Sequence, residues 1–357
     1  MNECTLTLYF SINKKILVLM QYQLDLKKKI GKKKILIFLI IFFLIYGIST
    51  WNLPQFLLLY KDPFNLLEQK FQWLQESPIQ FFLGFLLFSW LPGKLAYICT
   101  QIIGILYLVI SIYWLTNSLK IDRNNLFWTL ALSPFFLIIF TWFGKPDLFL
   151  IASLFCIIAC NRHNNYATPF FLIISVFAHI QITLFYIVFS LALRLITLNR
   201  WLIIGLIVSF SLFGWYLQNI GELNGRIDFI IHNLKLITIT QVNQPLFSIF
   251  STFGWLWFVV IYYRSSLGKN FFLVSIICFF ITITTLDHTR VFVLLSVPAL
   301  VYIAKNFPVA DFINNVKNSV PFWLLIFFQF QKIQGGKITD SAWSWFWLPK
   351  LTNYLGL

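Results

Sequence analysis

Long apolar segments, separated by short polar connections, run through most of the chain. Ten of them reach or approach the ~20 residues that a helix needs to cross a membrane. They lie at 35–50, 95–117, 125–143, 147–161, 166–179, 181–194, 201–218, 245–263, 270–285 and 289–304. A weaker segment, 319–330, is a further candidate, and 79–92 is apolar but short. The pattern predicts an all-α, polytopic bundle of about 10–11 transmembrane helices.

Composition identifies lipid as the solvent for most of this bundle. Apolar residues make up 59% of the 357 positions and charged residues only 11%, whereas an ordinary soluble domain has ~25% charged residues. A soluble core that buried this much apolar surface would leave almost no polar surface to face water. We therefore expect the lipid bilayer to surround residues 35–331, the predicted transmembrane domain.

The net charge of +15 raises nucleic acid as a partner, but the distribution of the charge argues against it. Eight of the 27 basic residues precede Ile35, mostly as Lys triplets at 27–29 and 32–34. A Lys cluster beside a first membrane helix is typical of a cytoplasmic flank. Residues 1–34 are thus predicted to be a basic cytoplasmic segment of a multi-pass protein of the cell membrane.

The charges of the loops predict the topology. With 79–92 lying in the membrane interface or re-entering, every short cytoplasmic loop is basic, as the positive-inside rule requires. These loops hold Lys120, Arg123, Arg162, Arg194, Arg200, Arg264, Lys269 and Lys305. The opposite loops hold Asp62, Glu68, Glu76, Asp147, Glu222, Asp228 and Asp287. If 79–92 spanned the membrane, every later loop would change sides and the rule would fail repeatedly.

Two further segments are predicted to lie at the membrane surface. Residues 64–75, in the outer loop 51–78, place apolar side chains at helical spacing, which is typical of a helix lying in the interface. The C-terminal tail, 332–357, contains the aromatic cluster 343–347, which is typical of an interfacial anchor.

Candidate chemistry falls at tight turns on the outer, acidic side. Asp147 follows Pro146 at the start of an apolar segment, so it either caps that helix or faces an outer cavity. His179 and Gln181 flank a second turn, where they either satisfy helix-end groups or contact a ligand.

The run Asp287-His288-Thr289-Arg290 gives the sharpest signal, because ionisable groups beside hydrocarbon are costly and usually functional. A cation in the first turn of a helix opposes the helix dipole, and an Arg there could bind a phosphate bidentately. An ion pair of Arg290 with Asp147 or Asp287 is the alternative.

Other site types find little support in the sequence. Arg226, with Asp228, offers a second cation in the outer loop 219–244, where an exposed ion pair is the alternative. The five cysteines show no metal-ligand or disulfide spacing. No nucleotide-binding Gly loop is present. No cofactor follows from the sequence, and a divalent metal stays open.

The layout resembles the polytopic glycosyltransferases of the GT-C superfamily. The similarity covers about residues 27–305 and rests on the basic N-terminus, the first outer loop, and the turns Gly144-x-x-Asp147, His179-x-Gln181 and Asp287-x-x-Arg290. It implies transfer of a sugar from a polyprenyl-phosphate donor on the non-cytoplasmic face. It also implies an early outer acidic residue as base or metal contact, here Asp62, whose neighbour Pro63 departs from the family pattern.

This resemblance predicts roles for the outer residues. Asp62 or Asp147 would accept the proton of the acceptor hydroxyl. Arg290, with Arg226 or His179, would hold the lipid phosphate, and Gln181, Asp287 and His288 are the remaining candidate contacts. The alternatives are a non-catalytic flippase or polymerase partner for a lipid-linked glycan, and a transporter of small solutes.

Overall fold

A computed structural model of the chain describes residues 93–141, 146–220, 245–283, 287–316, 331–334 and 337–340, together with positions 79, 91 and 285. All of these belong to one compact unit, Tyr46–Leu357. Several predictions concern segments outside the described residues. They are the basic segment 1–34, the first helix 35–50, the surface helix 64–75, segment 79–92 apart from Ile79 and Leu91, most of loop 219–244, segment 319–330 and most of the tail 332–357.

The described part of the chain is almost entirely helical, which confirms the predicted class. Its helices are α1 (Gly93–Leu119), α2 (Arg123–Leu132), α3 (Phe135–Thr141), α4 (Asp147–Arg162), α5 (Thr168–Ala192), α6 (Arg200–Ile220), α7 (Pro245–Phe253), α8 (Leu256–Tyr262), α9 (Gly268–Ile283), α10 (His288–Asn306) and α11 (Val309–Val316). One element was not predicted: strands β1 (Gln331–Gln334) and β2 (Lys337–Asp340) pair antiparallel within the start of the predicted aromatic tail.

Two apolar segments predicted as single helices are each divided in two. Segment 125–143 breaks between α2 and α3, where Ser133 is extended and Pro134 follows; proline lacks an N–H and clashes with the preceding helical turn. Segment 245–263 breaks between α7 and α8 at Gly254, whose φ of 58° is in the left-handed region that favours glycine.

Helix α5 folds back on itself at His179. The φ and ψ of His179, −167° and 95°, are those of a strand. The hydroxyl of Thr183 lies 2.7 Å from the hydroxyl of Ser175 and donates to the Ser175 carbonyl at 2.9 Å. In a straight helix these residues would be ~12 Å apart along the axis. We therefore describe α5 as two arms, 168–178 and 180–192, joined by the tight turn that the sequence predicts.

The contacts of α6 support this reversal independently. A Cβ on Gly205 would lie 2.9 Å from the Pro169 backbone, and farther along both helices Phe177 packs edge-on against Phe213 at 5.8 Å. The first arm of α5 and α6 therefore run parallel. Only six or seven residues join α5 to α6, so the second arm must return the chain to the side where α6 starts.

Four described helices are long and apolar enough to cross a membrane: Cys99–Leu119 within α1, Thr168–Ala192, Arg200–Gln218 within α6, and His288–Asn306. Helix α5 is the longest of these four spans, but it does not cross as one rod because of its turn, and its arms rise only ~16 and ~20 Å. Short arms of this kind are tolerated where helices pack together and the bilayer thins. The count of 10–11 crossings stays a prediction.

Helix α4 forms the centre of the described bundle. All of its positions from Asp147 to Asn161 are buried, which is typical of a helix surrounded by other helices rather than by lipid. Helices α1 and α5 pack along it, as Tyr107 shows: its hydroxyl lies 2.9 Å from the Ser153 hydroxyl, and its ring stacks on Phe171. These contacts fix the position of Asp147, the first residue of α4, relative to α1 and α5.

Buried amides tie the helices together at one end of the bundle, which we call the basic end. Asn125 of α2 donates to the carbonyls of Ala304 and Phe307, and its own carbonyl accepts from the Ala310 N–H. Asn161 of α4 makes a two-way pair with the backbone of Thr197. The cations predicted for the cytoplasmic side lie here and are exposed: Lys120, Arg123, Arg162, Arg194, Arg200, Arg264, Lys269 and Lys305.

Candidate functional site

The opposite end of the bundle, which we call the site end, carries a charge pair between two helix starts. Asp147 is the first residue of α4, and Arg290 lies in the first turn of α10. Arg290 Nε donates to Asp147 Oδ2 at 2.7 Å, and Nη2 donates to Asp147 Oδ1 at 2.7 Å. This bidentate geometry is the strongest form of an Arg–carboxylate contact. The structure thus brings together two predicted site residues through the pairing that the sequence offered as the alternative to a ligand.

Burial makes this pair costly to disturb. The side chain of Asp147 is 3% exposed and that of Arg290 is 17% exposed. Removing one partner of a buried pair leaves an uncompensated charge, which destabilises a protein by ~3–5 kcal/mol. The start of α4 favours the Asp147 carboxylate, whereas the start of α10 disfavours the Arg290 cation. Asp147 therefore supplies the charge that holds Arg290 in an otherwise unfavourable position.

Asp287 and His288 precede Arg290 at the start of α10. Asp287 precedes α10, and its Oδ2 lies 3.9 Å from Arg290 Nη1, with a side chain 30% exposed. His288 is fully buried, interacts with the backbone of Ser248 at the start of α7, and meets the Phe279 ring edge-on. Arg290 thus has a nearly buried carboxylate on one side and a more exposed one on another.

The pair lies deep relative to α1. Gly104 is in contact with Leu148, and Tyr107 is in contact with Ser153, so α1 and α4 run parallel. Asp147 is therefore level with about residue 103 of α1, ~15 Å below the start of α1 at Gly93. It is also ~12 Å below Leu95, where the predicted apolar segment of α1 begins. Ionisable groups beside long apolar helices are costly and usually functional, so this pair is the candidate site.

His179 and Gln181 lie at the fold-back turn of α5. His179 Nδ1 accepts a long hydrogen bond, 3.5 Å, from the Ile182 N–H, as a residue that caps the second arm would. Both residues are partly exposed. A shared role of this turn and the Asp147–Arg290 pair stays a prediction. Asp62 and Arg226 lie outside the described residues.

Sequence reasoning missed two polar residues at the site end. Gln101 of α1 is 4% exposed and Ser248 of α7 is 2% exposed. Among the described residues, none forms a hydrogen bond with Gln101 Oε1 or with the Ser248 hydroxyl. The sequence held one signal for Gln101: it is a polar residue in an apolar helix, at the spacing of the positions that are buried.

Three of the described helical segments present their N-terminal ends at the site end, and such ends favour anions. Helices α4 and α10 and the second arm of α5 all start at the site end, so their positive dipole ends point there, and Arg290 adds a cation whose charge Asp147 and Asp287 offset. Within the described ranges, no three His, Cys, Asp or Glu side chains come together as a metal site. A phosphate group is the ligand that helix starts and a guanidinium fork bind in common.

Comparison with known proteins gives no relative from which to transfer a role. No family model, no curated protein and no solved structure matches this chain.

Proposed function

We propose that this protein is a cell-membrane glycosyltransferase that takes a sugar from a polyprenyl-phosphate donor, with its site end on the non-cytoplasmic face and its N-terminus in the cytoplasm. The observation that carries the proposal is the bidentate Asp147–Arg290 pair, largely buried between two helix starts. A guanidinium in that position suits an anionic lipid headgroup, and the exposed apolar side chains of the neighbouring helices support contact with membrane lipid.

The reaction is a displacement at the anomeric carbon of the sugar. The bond between this carbon and the phosphate oxygen breaks, and the phosphate leaves with the electron pair. A bond to the acceptor oxygen forms, and the acceptor hydroxyl loses its proton to a carboxylate. Arg290 stabilises the negative charge that develops on the leaving phosphate, which is the kind of electrostatic stabilisation that contributes most to catalysis.

Asp147 acts in this scheme by positioning Arg290. Both of its oxygens accept hydrogen bonds from the guanidinium, so neither is well placed to take a proton while the pair is intact. We therefore assign proton acceptance to Asp62 and the orientation of Arg290 to Asp147. Asp287 lies beside the outer part of the guanidinium, where an incoming phosphate would displace its weak contact.

The same pairing favours a second candidate function, binding of a lipid-linked glycan without transfer. A carboxylate that is fully engaged by arginine supports recognition as well as it supports catalysis. In that case the protein would assist a flippase or a polymerase. The two candidates share the phosphate contact at Arg290 and differ in whether the sugar leaves its donor.

Sugar transfer in isolated membranes tests the proposal. Membranes that contain the wild-type protein or Arg290→Ala receive radiolabelled polyprenyl-phosphate sugars, and the label is followed into the acceptor fraction. The proposal predicts transfer by the wild type and its loss in Arg290→Ala at equal protein level, while the exposed control Arg264→Ala retains transfer. Unchanged transfer by Arg290→Ala would refute the assignment. Binding of the donor by the wild type without transfer would favour the second candidate.

A further inference from the structure

One face of α1 is buried, and this buried stripe continues past the level at which α4 starts. Gln101, Gly104, Leu108, Ser111 and Leu115 are the buried positions of one face of α1, with alternating spacings of three and four residues. This spacing places them on a single stripe. Gly104 contacts Leu148 on this stripe, so the stripe faces α4. Gln101 lies one turn nearer the site end.

This position puts Gln101 close to the charge pair. Gly104 is level with Leu148, and one turn of helix rises ~5 Å. The side chain of Gln101 therefore lies just beyond the first residue of α4, Asp147, on the face of α1 that points toward α4. The neighbouring positions Ile102 and Ile103 are exposed by 51% and 39% on the opposite, apolar side of α1.

A glutamine is an unusual choice for this position. It is 4% exposed within the apolar span Cys99–Leu119, and no described residue donates a hydrogen bond to its Oε1. A buried polar atom without a partner is unfavourable, and such groups are retained where they have a function or meet a bound molecule. Ser111, farther along the same stripe, shows the ordinary solution, because its hydroxyl donates to the Leu108 carbonyl at 2.7 Å.

We propose that Gln101 is a ligand-binding residue of the site end, and that its side-chain amide recognises a hydroxyl group of the sugar attached to the lipid phosphate. The proposal rests on the proposed function, since it assumes that Arg290 holds the phosphate of such a lipid. An amide can both donate to and accept from a hydroxyl group, and Gln101 lies about one helical turn beyond the residue of α1 that contacts Leu148. Arg290 then provides affinity for the phosphate, and Gln101 provides selectivity for the sugar.

Binding to two probes separates these contributions. The full-length protein in phosphatidylcholine nanodiscs is titrated with polyprenyl phosphate and with polyprenyl phosphates that carry glucose, mannose or N-acetylglucosamine. The wild type is expected to bind at least one sugar-bearing probe more tightly than polyprenyl phosphate. Gln101→Met, which keeps the side-chain volume, is expected to weaken that probe ~tenfold and to leave polyprenyl phosphate unchanged.

Controls distinguish a ligand contact from a structural role. Because Gln101 Oε1 has no partner among the described residues, Gln101→Met should not lower the thermal midpoint, whereas Ser111→Ala should not alter the binding of either probe. Gln101→Leu serves as a second apolar variant if the methionine variant does not accumulate.

The outcomes also separate this proposal from the proposed function. If Gln101→Met lost affinity equally for both probes, or for neither, the role of Gln101 would be overturned. Binding of both probes by the wild type would still support the phosphate contact. Failure of the wild type to bind any probe would overturn the proposed function and the role of Gln101 together. The division of roles is supported if Arg290→Ala loses binding of both probes and Gln101→Met does not.

Discussion

The two ends of the bundle treat charge in opposite ways. At the basic end, eight cations are exposed and the helices are tied together by uncharged amides, Asn125 and Asn161. At the site end, Asp147 and Arg290 are largely buried and are themselves the tie between α4 and α10. Exposed charges at helix ends are sufficient to orient a membrane protein. Buried, paired charges exceed that need, and this difference separates a functional site from a topology signal.

The comparison also shows that charge sign alone is a poor guide. Asp122 and Asp311 lie at the basic end, where they are exposed among the cations. Conversely, the site end contains the cation Arg290. What distinguishes the site end is therefore burial together with bidentate geometry, and the predictions below are arranged to test that distinction.

Breaking the buried pair should have the largest effect. Asp147→Ala leaves Arg290 without its main partner, so we expect the free energy of unfolding to fall by ~3–5 kcal/mol. Arg264→Ala, which removes an exposed cation at the basic end, should change it by less than ~0.5 kcal/mol. Unfolding in mixed detergent micelles measures both. Equal losses of unfolding free energy in the two variants would contradict the claim that charge is buried at one end and merely exposed at the other.

Removing the amide tie of the basic end should have the next largest effect. Asn125→Ala leaves two carbonyls and one N–H without their bonds in a buried site, and we expect a loss of ~2–3 kcal/mol. The control is Asn117→Ala, because Asn117 is exposed and bonds only weakly to Arg123 at 3.3 Å. A loss of stability in the control as large as in Asn125→Ala would contradict the assignment of Asn125 as the tie.

Two glycines of α6 test the packing that links the ends. A methyl group on Gly205 would lie 2.5 Å from Leu172 Cδ1 and 2.9 Å from the Pro169 backbone, whereas one on Gly214 meets no atom within 4 Å. Gly205→Ala should therefore destabilise the protein by ~1–3 kcal/mol through overpacking. Gly214→Ala should be neutral or slightly stabilising. The reverse order of the two variants would show that the parallel packing of α5 and α6 is wrong.

The smallest expected effect has the opposite sign. Arg194 of the basic end has a φ of 55° just after α5, a conformation that favours glycine. Arg194→Gly should raise the free energy of unfolding by ~0.5–1 kcal/mol. Arg162→Gly, within the last turn of α4, should instead lower it by ~0.5–1 kcal/mol. Destabilisation by Arg194→Gly would mean that the Arg194 side chain stabilises the fold, beyond orienting the protein in the membrane.

The boundaries of the long helices could be predicted because apolar runs and polar flanks mark them. Segments 95–117, 147–161, 201–218 and 289–304 correspond to α1, α4, α6 and α10 within about two residues at each end. The turn at His179 was predicted because two polar residues interrupt an apolar run. The breaks at Ser133 and Gly254 were missed, although Pro134 and a glycine were visible, because apolarity continues across both.

The site could be predicted as a set of residues but not as a geometry. Asp147 and Arg290 were each singled out by an ionisable group next to an apolar helix. That they meet depends on how α4 and α10 pack across 143 positions of sequence, which local patterns do not encode. Gln101 was missed because a single polar residue in a long apolar helix gains meaning only when its neighbours are known. The β1–β2 hairpin was missed although two glycines, Gly335 and Gly336, separate its strands in the sequence.

Exchange of the two charges tests the central claim most directly. The double variant Asp147→Arg with Arg290→Asp restores an ion pair between α4 and α10 but moves the cation to the other helix. We predict that it regains most of the stability that Asp147→Ala loses, as measured by unfolding in micelles, and that it does not transfer sugar from a polyprenyl-phosphate donor. Transfer by the exchanged pair at the wild-type rate would contradict the account, because the pair would then serve the fold alone.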